Sequence, residues 1–141
     1  MGYELSGGGI VRLWHYKLIP YLPKSQLLAQ WREINTIFAG KDQDHILIRY
    51  AKKSNTPLYY YSVEVAREMS NRGYKVNAKR FDEYFENVIY SDIYEMFPEH
   101  NNEYLTICYW NLREKYLRGQ KDFTKEVWDK LDYFVRKELE Q

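Results

Sequence analysis

Apolar residues recur every three or four positions after Pro23, and this spacing predicts a helix that continues to a C-terminal cap at Gly40. Proline suits the first helical position, because its φ is fixed near the helical value and its missing N–H would have no partner there. The predicted buried stripe of this helix comprises Leu27, Leu28, Trp31, Ile34 and Phe38. The segment before the helix contains Pro20, which disfavours a regular helix, so it is predicted to be extended.

The same periodicity predicts two more helices in the middle of the chain. One begins with Thr56 as its cap and Pro57 in its first turn, and it ends at Arg72-Gly73. Its predicted inward positions are Leu58, Tyr61, Val65 and Met69. A shorter helix follows Asn77, and its predicted inward positions are Phe81, Tyr84, Phe85 and Val88. The stretch 45–53 is apolar and β-branched, and its pattern fits a short strand, an extended connector or a short helix.

Two helices are predicted in the last third of the chain. The first runs from about Asn101 to Arg118 and is closed by Gly119, and the second begins near Thr124. The inward positions of the first are Leu105, Cys108, Tyr109, Leu112 and Tyr116. Those of the second are Val127, Trp128, Leu131, Phe134 and Val135.

These patterns predict an all-α fold, with four to five helices in a single compact domain over residues 11–141 and an extended N-terminal segment. A chain of 141 residues is long enough to bury one core. Residues 1–10 contain three consecutive glycines and are predicted to be a flexible extension, either a tag, a linker or a mis-assigned start.

Composition limits the classes of function. The formal net charge is +1, which argues against strong non-specific binding of nucleic acid. Basic residues nevertheless outnumber acids before Gly73, while acids dominate from Asp82 to Glu103, so one face of the protein can still be basic. The single cysteine, Cys108, excludes an internal disulfide and is interpreted as a buried apolar residue. Without an apolar run of membrane-spanning length or a signal peptide, we expect a soluble, cytoplasmic protein.

Several sources of chemistry are missing from the sequence. There is no phosphate-binding loop and no nucleophilic serine elbow, and the histidines at 15, 45 and 100 do not have the spacing of zinc ligands. We therefore expect no metal and no cofactor. Carboxylate, amine and guanidinium groups remain. Glu33 lies beside the apolar stripe of the first helix, where a carboxylate against an apolar wall is a candidate acid or base.

Several motifs resemble one known family. Arg12 is followed by QLLAQWRE, which ends at Glu33, and further similarity occurs in EMSNRGYKV (68–76), PEHNNEY (98–104) and NLREKY (111–116). Together with the His45-Ile46-Leu47 stretch, these motifs resemble the pyrimidine-dimer DNA glycosylase family, also called endonuclease V. The likeness is strongest to a cellular branch beginning RLWHxxLIPYLP, and it covers most of residues 11–118.

The resemblance implies a helical DNA repair glycosylase with AP-lyase activity on damaged pyrimidines. In that family an N-terminal amine attacks the sugar C1′, forms a Schiff base and cleaves the strand by β-elimination. The implied catalytic residues are Glu33, Arg12 and Val11, the last through its backbone amine if it is the true start. The implied substrate-binding residues are Arg32, Gln26 and His15. Double-stranded DNA is the implied partner, and a monomer is expected.

The sequence departs from the family pattern at three places. Val11 replaces a small residue and is preceded by ten residues, so an alternative initiator codon at position 11 is one interpretation. Gln26 replaces a histidine, and Thr36 replaces an arginine. Two other functions therefore stay open: a catalytically inactive nucleic-acid-binding module that keeps Arg12 and Arg32, and a protein-interaction domain that uses exposed tyrosines such as those at 59–61. Lys17 is an alternative source of the amine.

Overall fold

The computed structural model describes residues 12–41 and 46–140. Within these ranges there are one 3-10 helix and six α-helices, and no strand, which confirms the all-α prediction. The elements are the 3-10 helix Tyr16–Tyr21, α1 Lys24–Phe38, α2 Arg49–Lys52, α3 Asn55–Asn71, α4 Lys79–Glu86, α5 Asn102–Leu117 and α6 Lys125–Glu140. The predicted extension 1–10 lies outside the described residues.

Helix α1 buries most of its predicted stripe. Its fully buried positions include the predicted Leu27, Trp31 and Ile34, while Leu28 and Phe38 are partly buried against the core. Pro23 precedes the first helical residue and occupies the N-cap position. The helix also buries Gln30 and Ile37, which the sequence analysis did not include.

Helix α3 buries the four residues predicted for it, Leu58, Tyr61, Val65 and Met69. It begins earlier than predicted, at Asn55 with Ser54 as N-cap, so the expected Thr56 cap lies inside the helix. At its end, Gly73 adopts a φ of 89°, a left-handed conformation that favours glycine. The open question over 45–53 is answered for residues 46–53, which form a turn followed by α2.

The last two helices form a pair. The predicted residues Leu105, Cys108, Tyr109 and Leu112 are buried in α5, and Trp128, Leu131 and Val135 are buried in α6. The ring of Tyr116 on α5 stacks on Trp128 of α6, with 5.2 Å between centroids and 8° between planes. Helix α1 packs on α3, and the 3-10 helix contacts both α3 and α6. The 3-10 helix therefore joins the two halves of the core.

The 3-10 segment is tied to α3 by one side chain. The guanidinium of Arg72 donates to the Leu22 carbonyl at 2.8 Å and to the Pro20 carbonyl at 3.2 Å. The same group donates to the Glu68 carboxylate at 2.7 Å. This segment carries two prolines and cannot satisfy all its carbonyls within a regular helix, so Arg72 supplies part of what the local backbone lacks.

No helix in the described residues is long and apolar enough to span a membrane.

Candidate active site

Segment 12–15 is buried and is bonded to α1 and α3. The Trp14 N–H donates to Gln30 Oε1 at 2.7 Å, and Gln30 Nε2 donates to the Arg12 carbonyl at 2.9 Å. The Tyr61 hydroxyl donates to the Trp14 carbonyl at 2.6 Å. Gln30 is only 2% exposed, so water cannot replace these bonds. The backbone of Arg12 is therefore fixed to α1 one turn before Glu33.

Helix α5 holds the same segment from the other side. The His15 N–H donates to Cys108 Sγ at 3.4 Å, and the Tyr104 hydroxyl donates to the Leu13 carbonyl at 2.5 Å. His15 Nδ1 accepts the Lys17 N–H at 3.1 Å and caps the 3-10 helix. His15 itself is 1% exposed, so its imidazole lies away from solvent.

A second buried histidine completes the network. His100 Nδ1 accepts the Tyr16 N–H at 3.1 Å, and His100 Nε2 lies 2.6 Å from the Tyr50 hydroxyl. Because Nδ1 accepts, the neutral ring carries its proton on Nε2 and donates it to Tyr50. The rings of His15 and His100 stack with centroids 5.4 Å apart. Segment 12–15, α2, α5 and the loop before α5 thus meet in one polar cluster.

Burial determines the protonation of this cluster. Desolvation lowers the pKa of His15 to about 4 and that of His100 to about 3. Burial also raises the pKa of the Cys108 thiol. At neutral pH both imidazoles are therefore neutral and the thiol keeps its proton, so the cluster is suited to holding backbone in place and not to nucleophilic attack.

Glu33 is half-buried on α1, three residues after Gln30. Residues three apart on a helix project from neighbouring turns of the same side. The Thr36 hydroxyl donates to the Glu33 carbonyl at 2.6 Å and lies 3.5 Å from Glu33 Oε2. Glu33 therefore lies one turn after the residue that binds the Arg12 backbone, and its carboxylate is directed toward Thr36 on the following turn.

The structure separates the two predicted arginines. Arg12 is 8% exposed, with its guanidinium 5.5 Å from the centroid of the Trp14 ring. Arg32 is exposed and lines a cavity of about 360 Å³ between α1 and α4. Arg12 thus contributes a largely buried positive charge, whereas Arg32 offers its guanidinium to solvent.

Two other predicted side chains have partners inside the protein. Gln26 exchanges amide hydrogen bonds with Gln120 in the α5–α6 loop, at 3.2 and 2.8 Å. His15 has the contacts described above. For both residues, direct substrate contact stays a prediction. The alternative amine, Lys17, forms an ion pair with Glu138, which raises its pKa, so its amine is less available as a free base.

Some residues that define this region were missed by the sequence analysis. Asn35 of α1 and Asn77, Lys79 and Arg80 at the start of α4 line the same cavity as Arg32. Trp31 forms part of its wall and also lines a neighbouring cavity of about 480 Å³ between α1, α3 and α4. Gln30 was missed too, although a signal was present: it is a polar residue on the stripe between Leu27 and Ile34.

The tyrosine run 59–61 does not form one free surface. Tyr61 is fully buried, and the half-buried Tyr59 stacks on Tyr90 with centroids 4.2 Å apart. The hydroxyl of Tyr60 donates to the Ser91 carbonyl at 3.2 Å. In the described part of the chain, no group of three His, Cys, Asp or Glu side chains is arranged to hold a metal ion.

Comparison with known proteins gives one match. Residues 11–82 match the family model described as pyrimidine dimer DNA glycosylase, which is just over half of the chain. The chain belongs to this family. Membership confirms the resemblance found in the sequence and implies a pyrimidine dimer DNA glycosylase function with DNA as the substrate.

The family match covers part of the candidate site. It includes α1 with Gln26, Arg32 and Glu33, and it extends through α3 into α4. Helices α5 and α6 follow the matched region. No curated protein and no solved structure matches the chain significantly.

Proposed function

We propose that this protein is a DNA repair glycosylase with AP-lyase activity on damaged pyrimidines in double-stranded DNA. Its nucleophile is a backbone amine at Val11, and its acid–base group is Glu33. The observation that carries the proposal is the hydrogen bond of 2.9 Å from Gln30 Nε2 to the Arg12 carbonyl. This bond holds Arg12, the residue after Val11, on the turn of α1 that precedes Glu33.

Simple chain geometry supports this assignment. Consecutive Cα atoms are about 3.8 Å apart, and residues three apart on a helix have Cβ atoms separated by about 5–6 Å. A chain that starts at position 11 would carry its amine on the residue next to Arg12, whose carbonyl is bound by the helical turn before Glu33. A substrate sugar between amine and carboxylate would contact both groups.

The chemistry proceeds in two stages. The amine attacks C1′ and the glycosidic bond breaks, with the bonding electrons going to the damaged base. The attached amine then loses a proton, and the C1′–O4′ bond of the sugar ring opens with its electrons going to O4′, which takes up a proton and leaves an iminium at C1′. Glu33 stabilises this cation and transfers the protons, including the C2′ proton whose removal expels the 3′ phosphate by β-elimination. An α-amine has a reference pKa of about 8, so roughly a tenth is free base at pH 7.

The remaining predicted residues have supporting roles in this proposal. Arg32 is exposed and can bind a backbone phosphate with its planar fork. Gln26 and His15 act through the protein, because each already binds an internal partner: Gln120 for the first, and Lys17 and Cys108 for the second.

Borohydride trapping tests the proposal. A chain that is cut by a protease so that Val11 carries the free amine should form a covalent complex with duplex DNA containing an abasic site. Glu33→Gln should abolish strand cleavage and leave binding intact. The matched control is Glu126→Gln, an exposed acid on α6, which should cleave normally. Absence of trapping by both the 11–141 and the 1–141 chains would refute the mechanism.

The alternative is a catalytically inactive nucleic-acid-binding or protein-interaction domain with the same fold. It is favoured by Gln26, which is tied to Gln120, and by Thr36, which lacks the charge of the family's arginine. A nucleic-acid-binding module would give salt-dependent binding without nicking. A protein-interaction domain would not bind DNA at moderate salt.

A further inference from the structure

A cavity between α1 and the start of α4 is lined by basic side chains from two separate parts of the chain. Arg32 comes from α1, while Lys79 and Arg80 come from the first turn of α4. The cavity has a volume of about 360 Å³ and is also lined by Asn35, Asn77 and Trp31. No acidic residue lines it. We call this set of six residues the basic cradle.

The cations of the basic cradle have no carboxylate partner in the parts of the chain that the structure describes. Arg32, Lys79 and Arg80 take part in none of the ion pairs within 4.0 Å there. Cations elsewhere are paired with acids, among them Lys17, Arg72, Arg118, Lys125, Lys130 and Arg136. Three like charges around one concavity repel each other, so an anion bound there is stabilised by all three.

The donors of the basic cradle match a phosphate diester. Two guanidinium groups can bind non-bridging oxygens with parallel N–H bonds, and the Lys79 ammonium adds a compact charge. The Oδ1 of Asn77 accepts the Lys79 N–H at 3.1 Å, which leaves its NH₂ group to donate. Trp31 is 7% exposed and provides an apolar wall, which reduces screening by water on one side.

The basic cradle adjoins the proposed catalytic residues. Arg32 precedes Glu33 on α1, and Asn35 lies on the next turn. Because Arg32 belongs to both regions, a DNA strand that crosses Glu33 can also reach Lys79 and Arg80.

We propose that the basic cradle binds a backbone phosphate of the DNA that flanks the site of reaction, with Lys79 and Arg80 as contacts that the family resemblance does not supply. This inference rests on the proposed function for the identity of the ligand. It assigns to α4 a direct part in binding, in addition to its packing against α1.

The test is the salt dependence of binding to an undamaged 20-base-pair duplex. Each neutralised phosphate contributes about 0.9 to the slope of log K against log salt concentration, so Lys79→Ala/Arg80→Ala, which removes two of the three charges around one phosphate, should reduce the slope by up to about 1. The matched control is Lys130→Ala/Arg136→Ala, which removes the same charge from exposed positions on α6 and should leave the slope unchanged. Circular dichroism should show equal helix content in all proteins.

Equal slopes for the two double variants would overturn the inference, as would absence of duplex binding by the unaltered protein at 50 mM salt. Phosphorus NMR with inorganic phosphate separates the two sources of the anion. Saturable phosphate binding that is lost in Lys79→Ala/Arg80→Ala, with an unchanged DNA slope, would assign the basic cradle to free phosphate and refute the DNA contact.

Borohydride trapping by the 11–141 chain and the 1–141 chain distinguishes this inference from the proposed function. A reduced slope without trapping would support the basic cradle and refute the lyase mechanism. Trapping with an unchanged slope would support the mechanism and refute the basic cradle.

Discussion

Gln30 shows how one buried amide can position a reactive chain segment. Its two polar atoms are bonded to the Trp14 N–H and the Arg12 carbonyl, so each atom has at least one internal partner in place of water. No buried side-chain nitrogen or oxygen in the described residues lacks a hydrogen-bond partner. A buried polar residue is tolerated under that condition, and it then specifies one arrangement of the backbone.

We expect Gln30→Leu to lower the free energy of unfolding by about 2–4 kcal/mol, because each of two buried backbone groups left without a partner costs about 1–3 kcal/mol. Borohydride trapping should decrease with it, since the backbone at Arg12 is no longer fixed near Glu33. Urea denaturation followed by circular dichroism measures the first effect.

Gln26→Leu is the matched control, because it makes the same change one turn away on α1. Its partner is the half-exposed Gln120, so water can replace the lost bond and the expected loss is below about 1 kcal/mol. Equal destabilisation by the two substitutions would contradict the role assigned to Gln30.

At this scale, the sequence analysis predicts site roles for Glu33 and Arg32, which stay predictions, but it could not identify the partners of Gln30. Trp14 and Tyr61 lie 16 and 31 residues away from it, and local periodicity carries no information about contacts at such separations. The polar residue on an apolar stripe was visible, whereas the groups that satisfy it depend on how three elements meet.

At the scale of the elements, periodicity found the long helices and erred mainly at their ends. The predicted cap of α3 was Thr56, but the helix starts at Asn55, and the Thr56 hydroxyl instead accepts the Ser91 N–H at 2.9 Å. A tertiary contact therefore uses the side chain that local sequence assigns to a cap. Segment 46–53 stayed ambiguous for a related reason: its apolar residues Ile48 and Ala51 serve the shared core and are too few to define a period.

Arg72 connects two elements, and its removal should loosen the 3-10 helix. Lysine cannot bond the carbonyls of Pro20 and Leu22 together with the Glu68 carboxylate in the same planar geometry. We expect Arg72→Lys to lower the free energy of unfolding by about 1–2 kcal/mol, because this is the size of the contribution that hydrogen bonds to partly exposed charged groups make to stability. Thermal denaturation measures the change.

Arg118→Lys provides the comparison for this prediction. Arg118 also forms an ion pair four residues away on its own helix, with Glu114, but both side chains are exposed and no other element is involved. An exposed pair of this kind contributes about 0.5 kcal/mol or less, so a loss equal to that of Arg72→Lys would contradict the connecting role.

At the scale of the whole molecule, the two buried histidines couple stability to pH. Their ordinary pKa of 6.5 applies to the unfolded chain, while burial lowers it to about 4 for His15 and about 3 for His100. Between these values the unfolded chain binds more protons than the folded protein, so stability falls as pH decreases. The contribution is fully present above pH 6.5 and is lost progressively toward pH 3.

His100→Gln should reduce this pH dependence, because glutamine can still accept from Tyr16 and donate to Tyr50 but does not titrate. The free energy of unfolding is measured by urea denaturation at pH 7.0 and at pH 4.5. The loss between the two pH values should be smaller for His100→Gln than for the unaltered protein by at least about 1 kcal/mol. Glu126→Gln, at an exposed site, should leave the difference unchanged, and an unchanged difference for His100→Gln would refute the coupling.

The net charge of the chain does not indicate how its basic residues are clustered in the fold. A net charge of +1 predicted weak electrostatic attraction to DNA, and the excess of basic residues before Gly73 suggested only a general asymmetry. The basic cradle joins Arg32 to Lys79 and Arg80, which stand next to an acid-rich stretch in the sequence. Their approach depends on the packing of α4 on α1 and cannot be obtained from composition.

The burial of Cys108 has a practical consequence. Its sulfur accepts the His15 N–H and is inaccessible to solvent in the folded protein, so a thiol reagent such as DTNB can reach it only after segment 12–15 has detached from α5. Since the chain has one cysteine, the labelling rate reports a single opening event. The absorbance of the released thiolate would thus measure how often segment 12–15 separates from α5, with and without DNA present.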